Sequence, residues 1–421
     1  MLNRLLSCAL ISIVFSACVQ KDIKQFVADE RVDIKTISPD STDFSELQAI
    51  GKAIGDSRVV MMGEQDHGDS PAFLAKTRLV KYLHEEKGFN VLAFESDFFA
   101  LNEGWDRLEK QKSKIDPFLS DNIFSIWSKC NSCDDLLYNY VPKTYRDKNP
   151  LIISGFDNQI TGSYSDTNLK TFIDNYLKGK KINYTNTEKY QVDFLSFIDS
   201  ITYNKNLQKQ RKFKAALQQI SHELSAADPT SFETMLLKSL MALTESEISF
   251  LSKKSDDSEI RDNQMAENLK WLLKYKFPKE KIIVWAHNAH IIKHPELIKN
   301  SKWHNSKETK IMGNLFTADK QLNEQTYILG FNSRVGSYGR TYTDKKFTVE
   351  LPAKNSFETW IPETVPYTFV NFKQFREENP DNKKPFLMKG VYHFTESASW
   401  TDIYDGIFYI REMYPCASVV K

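Results

Sequence analysis

One stretch of the chain, residues 59–95 of 421, constrains the fold more than any other. Short apolar runs stand at its two ends, and the segment between them has apolar residues at helical spacing. That segment begins with Ser70 as a candidate N-cap and Pro71 at the first helical position, and Gly88 is typical of a helix C terminus. A strand, a helix and a strand of these lengths predict two parallel strands joined by a right-handed crossover.

Other apolar runs of strand length recur along the chain, at 151–156, 282–286, 326–331, 346–351 and 406–411. Helical patterns separate several of them, and this alternation predicts an α/β fold with a mainly parallel sheet flanked by helices. Residues 165–257 instead show a polar helical pattern, so we interpret them as a helical insertion that forms a lid. The predicted α/β catalytic core therefore comprises residues 44–164 and 258–421.

The N-terminus has the pattern of an exported bacterial protein. Arg4 precedes an apolar run at 5–15 that is too short to span a bilayer, and small residues follow it, as in a secretory signal peptide. We predict a signal peptide at 1–17 and lipidation of Cys18, which would anchor the protein to the bacterial cell envelope. A plain signal peptide is the alternative. Residues 18–43 are polar and mixed, which indicates a tether.

Charge and cysteine content narrow the function classes. The 56 basic and 55 acidic residues nearly cancel, so the chain lacks the basic field typical of nucleic-acid-binding proteins, and no nucleic-acid partner is expected. Cys130 and Cys133 form a C-x-x-C pair in a chain predicted to be exported, which favours a local disulfide between them. A zinc site would need a second such pair, which the sequence lacks.

Acidic and imidazole side chains follow the apolar runs, at the point where each predicted strand ends. They are Glu64, His67, Glu95, Asp157, His287 and His290. In open α/β sheets, ligands bind beyond the carboxyl ends of the strands, so strand order would bring these residues to one edge. A single glutamate at a strand end is more often structural, but the joint occurrence of these residues favours one functional site.

The absence of several known motifs limits the reactions that these acidic and imidazole residues could catalyse. There is no Gly-x-Ser-x-Gly elbow, no Gly-x-Gly-x-x-Gly fingerprint and no P-loop, so a nucleophilic serine, a dinucleotide and a nucleotide phosphate are not indicated. Histidine and glutamate remain. They could activate water directly by general base catalysis, or they could hold a divalent metal ion that activates it. The residues alone do not separate these two schemes.

Several stretches together resemble the erythromycin esterase family over most of the chain, from about 45 to 412. They are 63–68 (Gly-Glu-Gln-Asp-His-Gly), Lys76, 88–95, 261–268 (Arg-Asp-Asn-Gln-Met-Ala-Glu-Asn), 284–290 (Val-Trp-Ala-His-Asn-Ala-His), 312–314 (Met-Gly-Asn) and 404–408 (Tyr-Asp-Gly-Ile-Phe). The combination of Gly-Glu-x-x-His-Gly with His-Asn-x-His is specific, whereas either motif alone is weak. The segment 165–257 shows no such similarity.

The resemblance implies an α/β core, a helical lid and a deep cleft between them. It also implies that water hydrolyses a macrolide lactone or a similar small-molecule ester, without a covalent enzyme intermediate. By this resemblance His67 is the general base, and the residues that orient it, hold the water and stabilise the oxyanion are Glu64, Glu95, His287 and His290. Lys76 and Arg261 match basic positions that bind or polarise the substrate, and Asp157 is a further candidate for substrate binding.

The sequence leaves two other functions open. The first is a metal-dependent hydrolase that uses the same histidine and glutamate cluster; apart from such a divalent metal, no cofactor is expected. The second is an envelope lipoprotein that binds a glycan or another small molecule in the cleft without catalysis, since one fold can host either kind of site.

Overall fold

The computed structural model of the chain describes residues 21–224, 228, 230–254, 256–299, 301 and 309–418. The signal peptide predicted at 1–17 and the lipidation site predicted at Cys18 lie outside the described residues and stay predictions. In the described part of the chain, no helix is long and apolar enough to cross a membrane.

The described part of the chain contains eleven strands and eighteen α-helices. The strands are β1 (Val32–Ile34), β2 (Val59–Met62), β3 (Phe89–Asp97), β4 (Ile152–Asp157), β5 (Lys281–Trp285), β6 (Thr326–Tyr338), β7 (Phe347–Thr348), β8 (Tyr367–Val370), β9 (Phe386–Met388), β10 (Glu396–Ala398) and β11 (Gly406–Met413). The α-helices are α1 (Ile23–Glu30), α2 (Gln48–Ile54), α3 (Ser70–Lys87), α4 (Trp105–Arg107), α5 (Lys112–Asn122), α6 (Ser125–Ser128), α7 (Val141–Thr144), α8 (Ser163–Gly179), α9 (Ser196–Ile198), α10 (Leu207–Glu223), α11 (Phe232–Leu251), α12 (Asp257–Trp271), α13 (Asn288–Ile291), α14 (Met312–Thr317), α15 (Lys320–Glu324), α16 (Phe357–Trp360), α17 (Phe372–Glu378) and α18 (Trp400–Ile403). Short 3₁₀ turns lie at Ser45–Leu47, Asn131–Cys133, Asn183–Asn186 and Pro295–Leu297, and π-helical turns at Ala100–Gly104, Asp135–Tyr140, Tyr190–Leu195 and Leu272–Lys276.

Nine of the described strands build one mixed sheet in the order β1-β8-β11-β6-β2-β5-β3-β4, with β7 paired to the end of β6. The strands β9 and β10 form a separate antiparallel pair. The strands from β11 to β4 in this order run parallel to one another, while β8 and β1 add an antiparallel edge. The predicted α/β class, with a mainly parallel sheet flanked by helices, is therefore confirmed. The strands β2 and β3 run parallel as predicted, but β5 lies between them and pairs with both.

An apolar layer covers each face of the sheet. Along β2, Val59 and Met61 belong to one buried core, whereas Val60 and Met62 belong to the other. The helices α8, α10 and α11 share the first core, and α3 shares the second. Because both faces are covered, the central strands β2 and β5 are apolar at nearly every position, and the sequence shows them as continuous apolar runs.

The N-cap of α3 lies one residue earlier than predicted, so the helix begins at Ser70 itself. Asp69 occupies the N-cap position, Pro71 lies in the first turn, and Gly88 ends the helix with a left-handed φ of 72°. The Asp69 carboxylate does not cap the helix, because it is bonded to the His393 ring (3.0 Å) and to the Asp66 N–H (2.9 Å).

Residues 165–257, predicted to be a helical insertion, contain α9, α10, α11 and most of α8. Leu169, Ile173 and Leu177 of α8 recur every four residues, and all three are buried in the core that this region shares with the sheet. The interpretation of this region as a lid, and the division of the chain into core and lid, stay predictions.

The predicted tether at 18–43 is wrong for the described residues from 21 onward. The helix α1 packs on the domain through Phe26, whose ring centroid lies 5.2 Å from that of Phe375. The strand β1 then pairs with β8 at the edge of the sheet. The segment looked polar because an edge element needs only a few buried apolar side chains.

The predicted disulfide between Cys130 and Cys133 is also wrong. Cys130 is bonded to Cys416, and Cys133 is a free, buried thiol. The partner of Cys130 lies 286 residues away in the sequence, and the spacing of cysteines cannot reveal such a pairing. The disulfide fixes the C-terminal segment to the turn after α6. The Cys416 N–H also donates to the Gly68 carbonyl, in the loop after β2, over 2.8 Å.

Candidate active site

The carboxyl ends of β2, β3, β4 and β5 meet at one edge of the sheet, and the predicted site residues meet there too. His67 lies against Glu64, with 3.2 Å between Nδ1 and Oε1. The His67 and His287 ring centroids are 5.0 Å apart. Glu95 lies beside His290 and also accepts a hydrogen bond from the His287 backbone N–H over 3.0 Å. Parallel strand order produces this convergence, as the sequence predicted.

A glycine and an asparagine hold the ends of these strands together. The Asn288 side chain donates to the Phe331 and Gly390 carbonyls over 2.8 and 3.1 Å, and its Oδ1 accepts from the Phe331 N–H. Gly63 packs directly on this amide, since a Cβ at Gly63 would lie 1.8 Å from Asn288 Oδ1. The Asn288 N–H also donates to the Glu64 carbonyl over 2.8 Å, so the loop that carries Glu64 is fixed to the loop that carries His287.

The Glu64 carboxylate is completely buried and bonded on both oxygens. Oε1 accepts from the Trp127 indole N–H over 3.1 Å and lies 3.2 Å from His67 Nδ1. Oε2 accepts from the Lys76 ammonium. Burial lowers the pKa of Lys76, and the Glu64 carboxylate opposes that shift.

These contacts determine how His67 can act. An ionised carboxylate only accepts hydrogen bonds, so the proton of a neutral His67 ring lies on Nδ1, where it is donated to Glu64. Nε2 then carries the lone pair, and within the described part of the chain it has no hydrogen-bond partner. Since the His67 side chain is 14% exposed, Nε2 is available to take a proton from water.

His287 is held in a different state. Its Nδ1 accepts from the Ala289 N–H over 2.9 Å, and its Nε2 lies 2.8 Å from the Gln65 carbonyl, to which it must donate. Burial, together with the neighbouring His67 and His290, holds the pKa of His287 well below its usual range. His287 is therefore neutral, both of its ring nitrogens are engaged, and its ring packs against that of His67; its part in catalysis stays a prediction.

His290 is positively charged at neutral pH. Its Nδ1 lies 2.8 Å from Asp262 Oδ1, and its Nε2 lies 3.2 Å from Glu95 Oε1. Burial alone would lower the pKa of His290, but Asp262 and Glu95 outweigh burial and raise it to about 10. In turn, burial would raise the pKa of Glu95, but His290 and Arg261 hold it well below its usual range.

Arg261 supplies a second fixed positive charge. Nε and Nη2 donate to the two Asp157 oxygens over 3.1 and 2.7 Å, and Nη2 also donates to Glu95 Oε1 over 2.8 Å. Nη1 lies 3.5 Å from His290 Nε2, which is itself a donor when His290 is charged. Among the described residues Nη1 therefore has no acceptor, and it can donate to an incoming oxygen atom.

The site thus has two layers. His67, His290 and Arg261 retain 14, 16 and 20% of their side-chain exposure, whereas the carboxylates beneath them retain 6% or less. The accessible layer consists of one basic nitrogen and two cations. Such a surface can accept a proton from water and stabilise negative charge on a carbonyl oxygen.

The donor set does not fit a divalent metal ion. Both ring nitrogens of His287 and of His290 are engaged by protein groups, and the Glu95 and Asp157 carboxylates are paired with Arg261. Among the described residues, no group of three or more His, Cys, Asp or Glu side chains is arranged to hold a metal ion.

Two of the predicted substrate-binding residues lie below the accessible layer. Lys76 was predicted to bind substrate, but its side chain is completely buried and its ammonium is bonded to Glu64. The buried carboxylate of Asp157 is used to hold Arg261. Both predictions of substrate contact are therefore corrected: Lys76 and Asp157 position other residues, and only Arg261 of the three retains an accessible donor.

Sequence reasoning missed two residues that shape this site. Asp262, which helps to keep His290 protonated, directly follows Arg261 in the 261–268 motif. Its position next to a predicted site residue could have identified it. Trp127 stands in a region rich in aromatic residues, with no pattern that ties it to Glu64.

The charge on His290 predicts a pH-dependent contribution to stability. Because the folded state raises the pKa of His290 from about 6.5 to about 10, the unfolded chain releases this proton first as pH rises. The contribution is therefore fully present below about pH 6.5 and is lost as pH rises to about 10. We expect the unfolding free energy of the wild type, measured in urea relative to His290→Gln, to fall across that window. A difference that stays constant with pH would contradict the assignment.

Known proteins match this chain over much of its length. A family model described as erythromycin esterase matches residues 84–413. The chain is 25% identical over 399 residues to YbfO of Bacillus subtilis (strain 168), a proposed hydrolase, which covers 88% of this chain and 87% of that protein. It is 26% identical over 306 residues to erythromycin esterase type II of Escherichia coli, covering 65% of this chain and 70% of that protein. A solved mutant of the erythromycin esterase EreC in its open conformation shares the fold, with a TM-score of 0.66 at 17% identity over 93% of this chain and 99% of that one.

Proposed function

Because the chain belongs to the erythromycin esterase family, we propose that it is a hydrolase that adds water to an ester or lactone bond of a small molecule. The observation that carries this proposal is the contact between Glu64 and His67, which leaves His67 Nε2 free in the same accessible layer as two fixed cations. A site that only binds a ligand has no need for both a histidine held in one tautomer and an unpaired cationic donor.

The reaction begins with a water molecule on His67 Nε2. As the water oxygen attacks the carbonyl carbon, its proton passes to Nε2, and His67 becomes an imidazolium that Glu64 stabilises through Nδ1–H. The negative charge that develops on the carbonyl oxygen is stabilised by Arg261 Nη1–H and by the charge on His290. When the tetrahedral intermediate collapses, the carbon–oxygen bond breaks and the proton on Nε2 goes to the departing alkoxide, which restores neutral His67.

The fixed charges need no rearrangement during this sequence. Arg261 is held by Asp157 and Glu95, and His290 is held by Asp262 and Glu95, so both cations are in place before the substrate binds. Preorganised charge of this kind lowers the barrier because the site spends no energy on reorienting dipoles at the moment of reaction.

The proposal is tested by incubating the full-length protein with a panel of macrolides, simpler lactones, and alkyl and aryl esters. Mass spectrometry would follow the addition of one water to a lactone or the release of an acid and an alcohol from an ester. We expect at least one panel member to be hydrolysed at a rate proportional to protein concentration, both with and without a chelator. A panel in which no member reacts faster than in buffer would overturn the proposal and favour a binding protein.

A further inference from the structure

We propose that Trp127 is a positioning residue for this reaction. Its indole N–H fixes the Glu64 carboxylate in the orientation that keeps the His67 proton on Nδ1 and the lone pair on Nε2. The expected effect of Trp127 on catalysis rests on the proposed function. Its expected effect on the tautomer of the His67 ring does not.

The geometry connects the three residues through one oxygen atom. Glu64 Oε1 accepts from Trp127 Nε1 over 3.1 Å, and the same oxygen lies 3.2 Å from His67 Nδ1. Lys76 is bonded to the other oxygen, Oε2. Trp127 is thus the second point that fixes the plane of the carboxylate, and it fixes the oxygen that His67 uses.

Trp127 is itself held rigidly. The side chain is completely buried, and its ring centroid lies 6.0 Å from that of Phe94 and 6.2 Å from that of Phe124. Its ring also meets the His67 ring edge-on, at 5.4 Å and 90°. Cys130, three residues further on, is bonded to Cys416. The indole can therefore act as a fixed reference for the flexible carboxylate.

Loss of the indole N–H has a definite consequence. The last torsion of a glutamate side chain has a broad energy profile, so a carboxylate held only by Lys76 can turn about it. His67 Nδ1–H would then lose its aligned acceptor, and the tautomer with the proton on Nε2 would become populated. In that tautomer Nε2 has no lone pair and cannot take a proton from water.

Two variants remove the N–H with different degrees of disturbance. Trp127→Phe keeps an aromatic ring but leaves a small cavity, whereas replacement of Trp127 by benzothienylalanine exchanges only the N–H for sulfur and keeps the shape. Trp105→Phe is the matched control, because Trp105 is also buried but its indole N–H is not bonded to any residue of the site. Urea unfolding would establish that each variant is folded. If Trp127→Phe does not fold, the benzothienylalanine variant still tests the inference.

The direct readout is nuclear magnetic resonance of ring-¹⁵N-labelled histidine, recorded at alkaline pH so that the neutral His67 ring is observed. The chain has eight histidines, and the His67 signals are identified by their loss in His67→Gln. We expect the Nδ1–H tautomer in the wild type and in Trp105→Phe, and a mixture of tautomers in both Trp127 variants. An Nε2–H tautomer in the wild type, or an unchanged ring in the Trp127 variants, would overturn the inference.

The catalytic readout uses the ester that the panel identifies. Since a hydrogen bond to a charged group is worth a factor of about 10 to 100, we expect both Trp127 variants to lower kcat by that factor with KM unchanged. An unchanged kcat would contradict the positioning role even if the tautomer shifts. If the wild type hydrolyses no ester, the proposed function fails, while the tautomer measurement still decides whether Trp127 fixes the His67 ring.

Discussion

Replacement of His67 by glutamine is expected to lower kcat by roughly 10²–10⁴-fold, the contribution typical of a general base. Glutamine can still donate to Glu64, so the fold around the site should persist, but its side-chain amide cannot take a proton from water. Steady-state kinetics on an ester that the wild type hydrolyses would measure the loss. Urea unfolding of the same samples should give a midpoint close to that of the wild type.

The control for this variant is His294→Gln, which makes the same chemical change at a half-exposed histidine paired with Glu296. Its kcat should equal that of the wild type. A His67→Gln protein that retains near-full turnover would show that His67 is not the base, and the base would have to be sought elsewhere in the site.

Replacement of Lys76 by methionine is expected to destabilise the fold more than any of the other substitutions. Methionine fills much of the same space, but it leaves the buried Glu64 carboxylate without its ammonium partner. Breaking a buried ion pair in this way costs about 3–5 kcal/mol of unfolding free energy. Chemical denaturation monitored by tryptophan fluorescence would measure it.

Two companion variants separate the buried charge from the loss of a lysine. Lys81 lies on the same helix as Lys76, and its ion pair with Asp135 is more exposed. Lys81→Met breaks that pair and should cost about 1 kcal/mol or less of unfolding free energy. The double variant Lys76→Met with Glu64→Gln removes the uncompensated charge and should recover part of the stability. Equal losses for Lys76→Met and Lys81→Met would contradict the view that Glu64 depends on a buried partner.

Much of the site was predictable because the strand ends are encoded locally. An apolar run followed by Glu64 or by Glu95 identifies both a strand and the residue at its carboxyl end, and parallel topology brings such ends together. The α/β class followed from the same runs. The apolar runs could not predict the strand order. The strand β5 lies between β2 and β3 in the sheet, although it follows β3 by about 190 residues in the sequence.

The states of the three histidines were not predictable, because each depends on partners that tertiary contacts supply. His67, His287 and His290 look alike in the sequence, yet the structure makes them a free base, a neutral packed ring and a cation. The same limit explains the error about Cys130, whose partner Cys416 is distant in sequence, and the omission of Trp127. Local patterns identify which residues reach the site, whereas long-range contacts determine their chemistry.

Direct attack on the substrate by water that His67 activates is the central step of the proposed reaction. A single-turnover reaction in H₂¹⁸O, with protein in excess over an ester that the panel identifies, tests this step most directly. Direct attack predicts one ¹⁸O in the acid product of the first turnover and no label in the peptides that contain Glu64 or Glu95. Label in either glutamate, with unlabelled acid from the first turnover, would show that a carboxylate is the nucleophile and would contradict direct attack by water.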